Sequence, residues 1–357
     1  MEPEPEQQPI LAGTPPLISV IIPARNEERN IQACLVAVLA QSYPNYEIIV
    51  VDDRSDDGTA CILAGIAAGN QRLQVIHGAE LPPGWAGKPH ALVQGAVVAH
   101  GEWLCFMDAD TFASPHLLRS AYAVASLYDA DMFSILTRQI LGSFWERTVL
   151  PLIFLGLAFG FPAEAVNDPG KPDAISNGQF ILIKRTVYDA IGGHSAVKDR
   201  IDEDRALAAI VKRAGYHLVL ADGRQVASTR MYTSLAEMWE GWTKNIYLGL
   251  QDKLWLLSFG AILGLLVAIV LPLWLVGGLV WLSTGGGVNA AVVTGEAGLL
   301  WGYLLWERSQ SCRAFGIPAG YALTFPLGAL IFTLMMAASA FNVLSGRGVS
   351  WKGRRYR

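Results

Sequence analysis

Two long stretches of this chain carry no charged residue. Between Lys253 and Glu296 lie 42 residues without an Asp, Glu, Lys or Arg, and between Arg313 and Arg347 another 33. A helix needs about 20 apolar residues to cross a hydrocarbon core about 30 Å thick. Residues 254–283 and 321–344 are long enough; 290–306 is shorter and carries Glu296. Only 16 % of the 357 residues are charged and 52 % are apolar, against about 25 % charged in ordinary soluble domains. The first 250 residues nevertheless read as a water-soluble domain, and the last hundred as membrane. The opening 16 residues, MEPEPEQQPILAGTPP, are acidic and proline-rich. They are expected to form a disordered tail and do not have the pattern of a signal peptide.

The soluble part alternates strand and helix. Residues 17–22 are a short, continuous β-branched run, as in a strand buried on both faces, and Pro23 is expected to stop it. The stretch NIQACLVAVLAQS then places Ile31, Leu35, Val38 and Leu39 at helical spacing. A second buried strand at 48–51, a helix after Thr59, a third strand in LQVIHG, a third helix in KPHALVQGAVVAHG and a fourth strand in EWLCFMDAD follow. This order implies an α/β fold, a mostly parallel sheet with helices on both faces. Ligands of such sheets sit at the carboxyl ends of the strands. Three of those ends are polar here: residues 25–28, Asp52 with Asp53, and Asp108 with Asp110. No GxGxxG follows the first strand and no GxxxxGK[ST] occurs, so neither a dinucleotide fingerprint nor an NTPase phosphate loop is present.

Asp108 and Asp110 flank one small residue at the end of an apolar run. Two carboxylates so placed can share Mg²⁺ or Mn²⁺, hard ions that take oxygen ligands from one or two carboxylates and from substrate phosphates. The bland alternative is a pair of solvated turn aspartates, or a helix cap before the SPHLL helix. Asp52 and Asp53 can bind a ribose hydroxyl or a base edge, while Asp56 and Asp57 suit a turn and a helix cap. Lys88, in GWAGKPHAL, can reach a diphosphate from a helix start, or can be an ordinary surface lysine. Asp202, Glu203 and Asp204 open an amphipathic helix. They either complement the helix dipole or include a general base whose pKa is raised by crowding. Asn177, Gly178 and Gln179 form a turn that lets an acceptor approach the backbone, or merely a turn.

Taken together, the pieces SVIIPARNEE, EIIVVDDRSDDGT, the stretch from Gly87 to Gly95, DAD, NGQFILIKRTVYDAIGG and DEDRALA resemble the inverting family-two glycosyltransferases of GT-A fold. The resemblance covers about residues 17–250, with membrane segments following as in the lipid-modifying branch. It implies that Glu27 and Asp53 contact the nucleotide, with Arg25 and Asp52 beside them and Lys88 at the diphosphate. It implies that Asp108 and Asp110 hold metal and diphosphate, and that Asp204 is the catalytic base, with Glu203 its rival. Asn177, Gly178, Gln179 and Trp242 are then the acceptor side. The family's Q/RxxRW motif is only partly present. In MWEGWTKNIY, Trp242 matches, but Met238 and Gly241 replace the polar and arginine positions, which argues against a processive polymer synthase. WxxWxKN and the closing WKGRRY look most like the hopanoid-associated, ceramide-glucosyltransferase-like and carotenoid-glycosylating members. The implied activity moves a sugar from a nucleotide donor, UDP being the expected nucleotide, to a lipid hydroxyl. The alternatives are transfer to a polyprenyl phosphate, and a non-catalytic membrane binding protein on the same fold.

Residues 145–162 are a further apolar piece, expected either to lie in the membrane interface, because spanning would split the site, or to form a buried core helix. The basic tail 346–357 favours a cytoplasmic end, and the nucleotide site should face the same side of the inner membrane. Both ends on one side require an even number of spans, so one of the three apolar segments is expected not to cross, with 290–306 the candidate. Cys34, Cys61, Cys105 and Cys312 have no metal or disulfide spacing and suit reduced thiols in the cytosol. A net charge of −4 gives no support for nucleic-acid binding.

Overall fold

The computed structural model describes residues 14–250, 254–345, 349–351 and 354–356. The expected disordered tail thus lies outside the described residues up to residue 13, and the expected basic tail is described only in part. The chain divides into two compact units. One runs to Ile140 and resumes over Phe161–Met231; the other comprises Leu141–Gly160 and the chain from Tyr232 onward.

In chain order the first unit contains β1 (Ile18–Ala24), α1 (Ile31–Leu39), β2 (Tyr46–Asp52), α2 (Thr59–Ala67), β3 (Leu73–His77), α3 (Gly87–Val98), β4 (Trp103–Phe106), β5 (Thr111–Ala113), α4 (Leu117–Leu127), β6 (Met132–Leu136) and β7 (Arg138–Gln139). After α5 (Phe144–Gly160), which belongs to the second unit, come α6 (Ala163–Asn167), β8 (Ile181–Lys184), α7 (Arg185–Ala190), α8 (Glu203–Arg213), β9 (Leu218–Asp222) and β10 (Ala227–Thr229). Seven strands form one sheet in the order β3-β2-β1-β4-β8-β6-β9. All neighbours are parallel except β8, which runs antiparallel to β4 and β6. β5, β10 and β7 make a small second sheet. Ile18, Val20, Ile22, Ile48 and Val50 are fully buried, as a parallel strand covered on both faces requires.

Pro23 does not stop β1, contrary to expectation. In the parallel ladder Ile21 faces β4, since its carbonyl accepts from Met107 N at 3.0 Å; Ala24 faces β2, its carbonyl accepting from Asp53 N at 2.7 Å. Pro23 has the parity of Ile21, but β4 has ended opposite Ile21. The N–H that proline lacks therefore has no strand to serve, so β1 continues to Ala24. The aligned ends of β1, β2 and β4 bring residues 25–28, 52–57 and 107–110 to one edge. There Asn26 and Arg54, at φ 54° and 57°, both adopt the left-handed conformation uncommon for residues other than glycine.

The second unit contains α5, α9 (Leu235–Leu250), α10 (Leu254–Leu265), α11 (Leu271–Ser283), α12 (Gly287–Ala314), α13 (Phe325–Leu344) and a hairpin of β11 (Val349–Trp351) and β12 (Arg354–Tyr356). A π turn over Leu266–Val270 joins α10 to α11, and Leu271 N–H reaches back five residues to Leu266 O. Pro272, which has no N–H to offer, follows at once, so the irregular turn sits where the regular ladder fails. Among the described residues three segments are long and apolar enough to cross a membrane: Ser258–Ser283, Gly287–Ala314 and Ala319–Asn342. The segment expected to be short, 290–306, is thus part of a 28-residue helix. A single carboxylate does not interrupt a backbone ladder.

Helix α3 lies so close to the sheet that a Cβ on Gly95 would stand 2.5 Å from Ile21 Cγ2 and 3.3 Å from Val51 Cγ2. Gly95→Ala is therefore expected to lower stability by ~1–3 kcal/mol through overpacking, measured by denaturant or thermal unfolding of the full chain in detergent. An unchanged midpoint would mean that α3 does not rest on β1 and β2.

Candidate active site

Four chain segments meet at this edge. β4 delivers Asp108 just past its end. The first turn of α3 delivers Lys88, and the first turn of α8 delivers Glu203 and Asp204. A turn closed by Phe180 N–H to Asn177 O at 2.9 Å delivers Gly178. Lys88 Nζ lies 2.6 Å from Asp108 Oδ1 and 2.8 Å from Glu203 Oε1. Gly178 N–H donates to Asp204 Oδ2 at 2.9 Å, Arg205 N–H donates to Oδ1 at 2.7 Å, and the Ser176 hydroxyl donates to the Asp204 carbonyl at 2.7 Å. A Cβ at position 178 would lie 2.8 Å from Lys88 Nζ, 3.2 Å from Asp204 Oδ2 and 3.6 Å from Asp108 Oδ2. Only glycine leaves room for this convergence. Asp202 is drawn off elsewhere: Arg200 holds it through Nε and Nη2, both at 2.9 Å, and Arg205 Nε donates at 3.1 Å. The acidic triplet therefore contributes two carboxylates to the cleft, and the third ties down the start of α8.

Burial works against the Lys88 ammonium, but Asp108, Glu203 and Asp204 outweigh it and hold its pKa well above the ordinary lysine value. Burial raises Glu203 to about 7; Lys88 pulls it down, while Asp204 and Asp108 push it up. Burial also raises Asp204, with Lys88 and the N–H groups of Arg205 and Gly178 partly offsetting it. Glu203, Asp204 and Lys88 are thus electrostatically coupled to one another.

The other expected residues fall as follows. Arg25 Nη1 donates to the carbonyls of Asp53 at 2.7 Å and Arg54 at 3.2 Å, tying the ends of β1 and β2 together. Glu27 accepts from Asn30 Nδ2 at 3.1 Å, and its N–H donates to Thr59 Oγ1 at 2.8 Å. Asp52 and Asp53 are buried, and Asp52 Oδ1 accepts from Ser55 N–H at 3.1 Å. Asp57 Oδ1 accepts Thr59 N–H at 2.9 Å, the helix-start role foreseen for it. Asp110 is half-buried, and its carbonyl accepts from Thr229 Oγ1 at 3.0 Å. Asn177 and Gln179 are engaged beneath the turn. Asn177 Nδ2 donates to Ile135 O at 3.0 Å and Gln179 Oε1 at 3.1 Å, and the Thr137 hydroxyl also donates to Gln179 Oε1. Trp242 lies on α9 in the second unit, edge-on to Phe154. Among the described residues no group of three or more His, Cys, Asp or Glu can hold an ion. A divalent cation here would take at most the Asp108 and Asp110 carboxylates from the protein. That suits Mg²⁺ or Mn²⁺ completed by phosphate and water oxygens.

The sequence reading missed His194, which lines the same cleft as Lys88, Asp108 and the two α8 carboxylates. Burial, and the nearby Lys88 charge, push its pKa down to about 3, so the ring is neutral. Its backbone N–H donates to the Tyr188 hydroxyl at 3.1 Å, and that hydroxyl lies 3.0 Å from His194 Nδ1. The arrangement fits an imidazole protonated on Nε2. Gly192 and Gly193, at φ 79° and 53°, turn the chain so that His194 folds back on Tyr188. The Gly-Gly pair just before a histidine was the available signal.

Residues 19–192 match the family described as Glycosyl transferase family 2. The chain is similar to the 4,4'-diaponeurosporenoate glycosyltransferase of Staphylococcus aureus strain MRSA252, 29 % identical over 266 residues covering 71 % of this chain and 69 % of the relative. The counterpart of strain USA300 is 28 % identical over 267 residues with the same coverage. Among solved structures, a mannosyltransferase from Pyrobaculum calidifontis in complex with GDP-Man and Mn²⁺ matches with a TM-score of 0.54 and 18 % identity, covering 93 % of this chain and 88 % of that one. That likeness, at such an identity, speaks for the GT-A fold.

The raised Glu203 pKa has a stability consequence. Between its ordinary value of 4.5 and about 7 the folded chain binds a proton that the unfolded chain has released. The stability from this group is complete below pH 4.5 and is lost as pH rises through 7, at most about 1.4 kcal/mol per pH unit. Glu203→Gln is expected to flatten this slope, so that wild type loses stability relative to the variant between pH 5 and 8. Parallel unfolding curves for the two across that range would refute the assignment.

Proposed function

We propose, from the premise that residues 19–192 form a family 2 glycosyl transferase domain, that this glycosyltransferase moves a sugar from a nucleoside-diphosphate donor to a lipid acceptor by a single inverting displacement. The observation that carries the reading is the convergence of Lys88, Asp108, Glu203 and Asp204 over Gly178. An acidic cleft with one ammonium, beside polar strand ends, suits a sugar diphosphate with its counter-charge on one side and a nucleophile on the other. Arg25, Glu27, Asp52 and Asp53 would hold the nucleotide, for which UDP is the expected form. Asp108 and Asp110 would hold Mg²⁺ or Mn²⁺, which supplies charge neutralisation to the diphosphate when bound. Lys88 sits where it can turn from the carboxylates toward the leaving phosphate. Asp204, raised by burial, takes the proton from the acceptor hydroxyl. The freed oxygen attacks the anomeric carbon, and the nucleoside diphosphate departs. An apolar acceptor is supported by the relatives' name, which specifies diaponeurosporenoate, and by the three long apolar segments. The inner membrane, with the domain on its cytoplasmic side, is the proposed location.

A second reading rests on the hydrogen bonds of Asp204. Both of its oxygens accept backbone N–H groups, which suits an orienting role as well as a basic one. An anionic acceptor, such as a polyprenyl phosphate, needs no base.

Asp204→Asn separates the two. Turnover with a hydroxyl acceptor is expected to fall ~100-fold or more, while donor binding in the presence of Mn²⁺, measured by calorimetry, changes little. Near-normal turnover would favour the anionic acceptor. Lys88→Met removes the charge that lowers both α8 carboxylates. The acid limb of kcat/KM is therefore expected to move to higher pH, and an unmoved limb would detach Lys88 from the two carboxylates. Failure of UDP-sugars and GDP-sugars alike to bind with Mn²⁺ would leave a non-catalytic membrane protein.

A further inference from the structure

We infer that the second unit crosses the bilayer twice, by a hairpin of α11 and α12, and that α13, although apolar and long enough, stays on the entry side. Two of the helices that flank α13, α9 and α5, carry charged residues. α13 packs along α9, α5 and α10, and reaches the π turn at Leu266–Val270. α9 carries Glu237, Glu240 and Lys244, and α5 opens with Glu146 and Arg147. Its register against these neighbours is close. A Cβ on Gly328 would stand 2.5 Å from Thr148 O, Gly156 faces the Phe332 ring at 3.7 Å, and Gly264 and Gly260 face Thr333 and Met336. A helix held side by side with charge-bearing helices shares their depth. The most apolar stretch of α13 is 44 % buried in protein, against 11 % in each of the other two candidates. The strand that follows, β11, returns to touch α9.

The hairpin has the opposite character. α11 and α12 pack on each other, and a Cβ on Gly278 would lie 2.7 Å from Thr294 Oγ1. Their outer faces expose Leu273, Val276, Val288 and Leu299 by 57–79 %. From Leu266 to Ser283 and from Val288 to Trp306, each arm is roughly 27 Å long at 1.5 Å per residue, close to the hydrocarbon thickness. Tyr303 and Trp306 are exposed where α12 returns, followed by Glu307, Arg308 and Arg313, whereas the turn at 284–286 has no charge. Aromatic residues stand at both ends, Tyr303 and Trp306 at one and Trp281 at the other, but basic residues follow only the first, which marks it as the cytoplasmic interface. Arg308 fixes the level, since its Nη2 donates to Arg147 O at 3.1 Å and Thr148 O at 3.2 Å on α5. Glu296 is the one acidic group on the spanning part of α12, and protonation would lessen the cost of carrying it across. This keeps the even number of crossings but exchanges the helices expected to make them.

Single cysteines test the arrangement in membrane vesicles. The background is Cys61→Ser, because the other three native cysteines are buried. Ala236→Cys, Thr284→Cys, Ala319→Cys and Ser345→Cys, all at exposed positions, are labelled with an impermeant maleimide before and after permeabilisation. Positions 236, 319 and 345 are expected to react from one side, and 284 from the other. Position 345 reacting with 284 would mean that α13 crosses. Position 319 reacting with 284 would mean that α12 does not. Reaction of all four from one side would mean no crossing at all. Each of these outcomes overturns the proposal.

Discussion

The ammonium of Lys88 between Asp108 and Glu203 is the contact on which the rest of the site depends. Three carboxylates, delivered by the end of β4 and the start of α8, meet in a partly buried cleft and would repel one another without a cation among them. Lys88 is that cation, and its place is set by the sheet. α3 begins where it does because Gly95 lets the helix settle against Ile21 and Val51. The chemistry at the edge is thus fixed by packing two helical turns away. One positive charge does not balance three negative ones, and burial, with the neighbouring carboxylates, pushes Glu203 up to about 7, which favours its protonated form more than in an ordinary carboxylate.

Beneath this charged layer lies a neutral one. Asn177, Gln179, Thr137 and Ser134 interlock below the 177–180 turn. His194, Tyr188 and Phe106 pack beside it. Buried polar groups in low dielectric are costly unless satisfied, and these satisfy one another. The result is a fixed floor that points Gly178 N–H at Asp204. The side chains of the turn thus hold it in shape, and its glycine makes the contact.

Much of this was legible in the sequence. The apolar runs located β1 to β4, though not their ends, because buried parallel strands have few acceptable compositions. The charged strand ends gave the cleft, because carboxylates at such positions need a reason. What stayed hidden depends on partners distant in sequence. Whether Pro23 ends a strand depends on where β4 stops. Whether Asn177 faces a ligand or the floor depends on Ile135 and Gln179. His194 was invisible as a site residue because no spacing links it to Lys88. Only the fold brings α3 and the segment before α8 to one cleft.

The second unit shows the same dependence in its prolines. Pro151 inside α5 removes the N–H that would bind the carbonyl of Arg147, four residues back. A freed carbonyl is expensive in an apolar setting, and here Arg308 supplies the donor from α12. Pro272 likewise removes the N–H that would bind the carbonyl of Ala268, and there the chain takes a π turn within the helix, closed by Leu271 N–H on Leu266 O. One defect is repaired across helices and the other locally, and the difference matters for assembly. The cross-helix repair ties α12 to α5 at one depth, whereas the local one leaves α10 and α11 a single long rod. A proline that reads in sequence as a break is, in one place, a joint between helices, and in the other it is absorbed without cost to the continuity of the span.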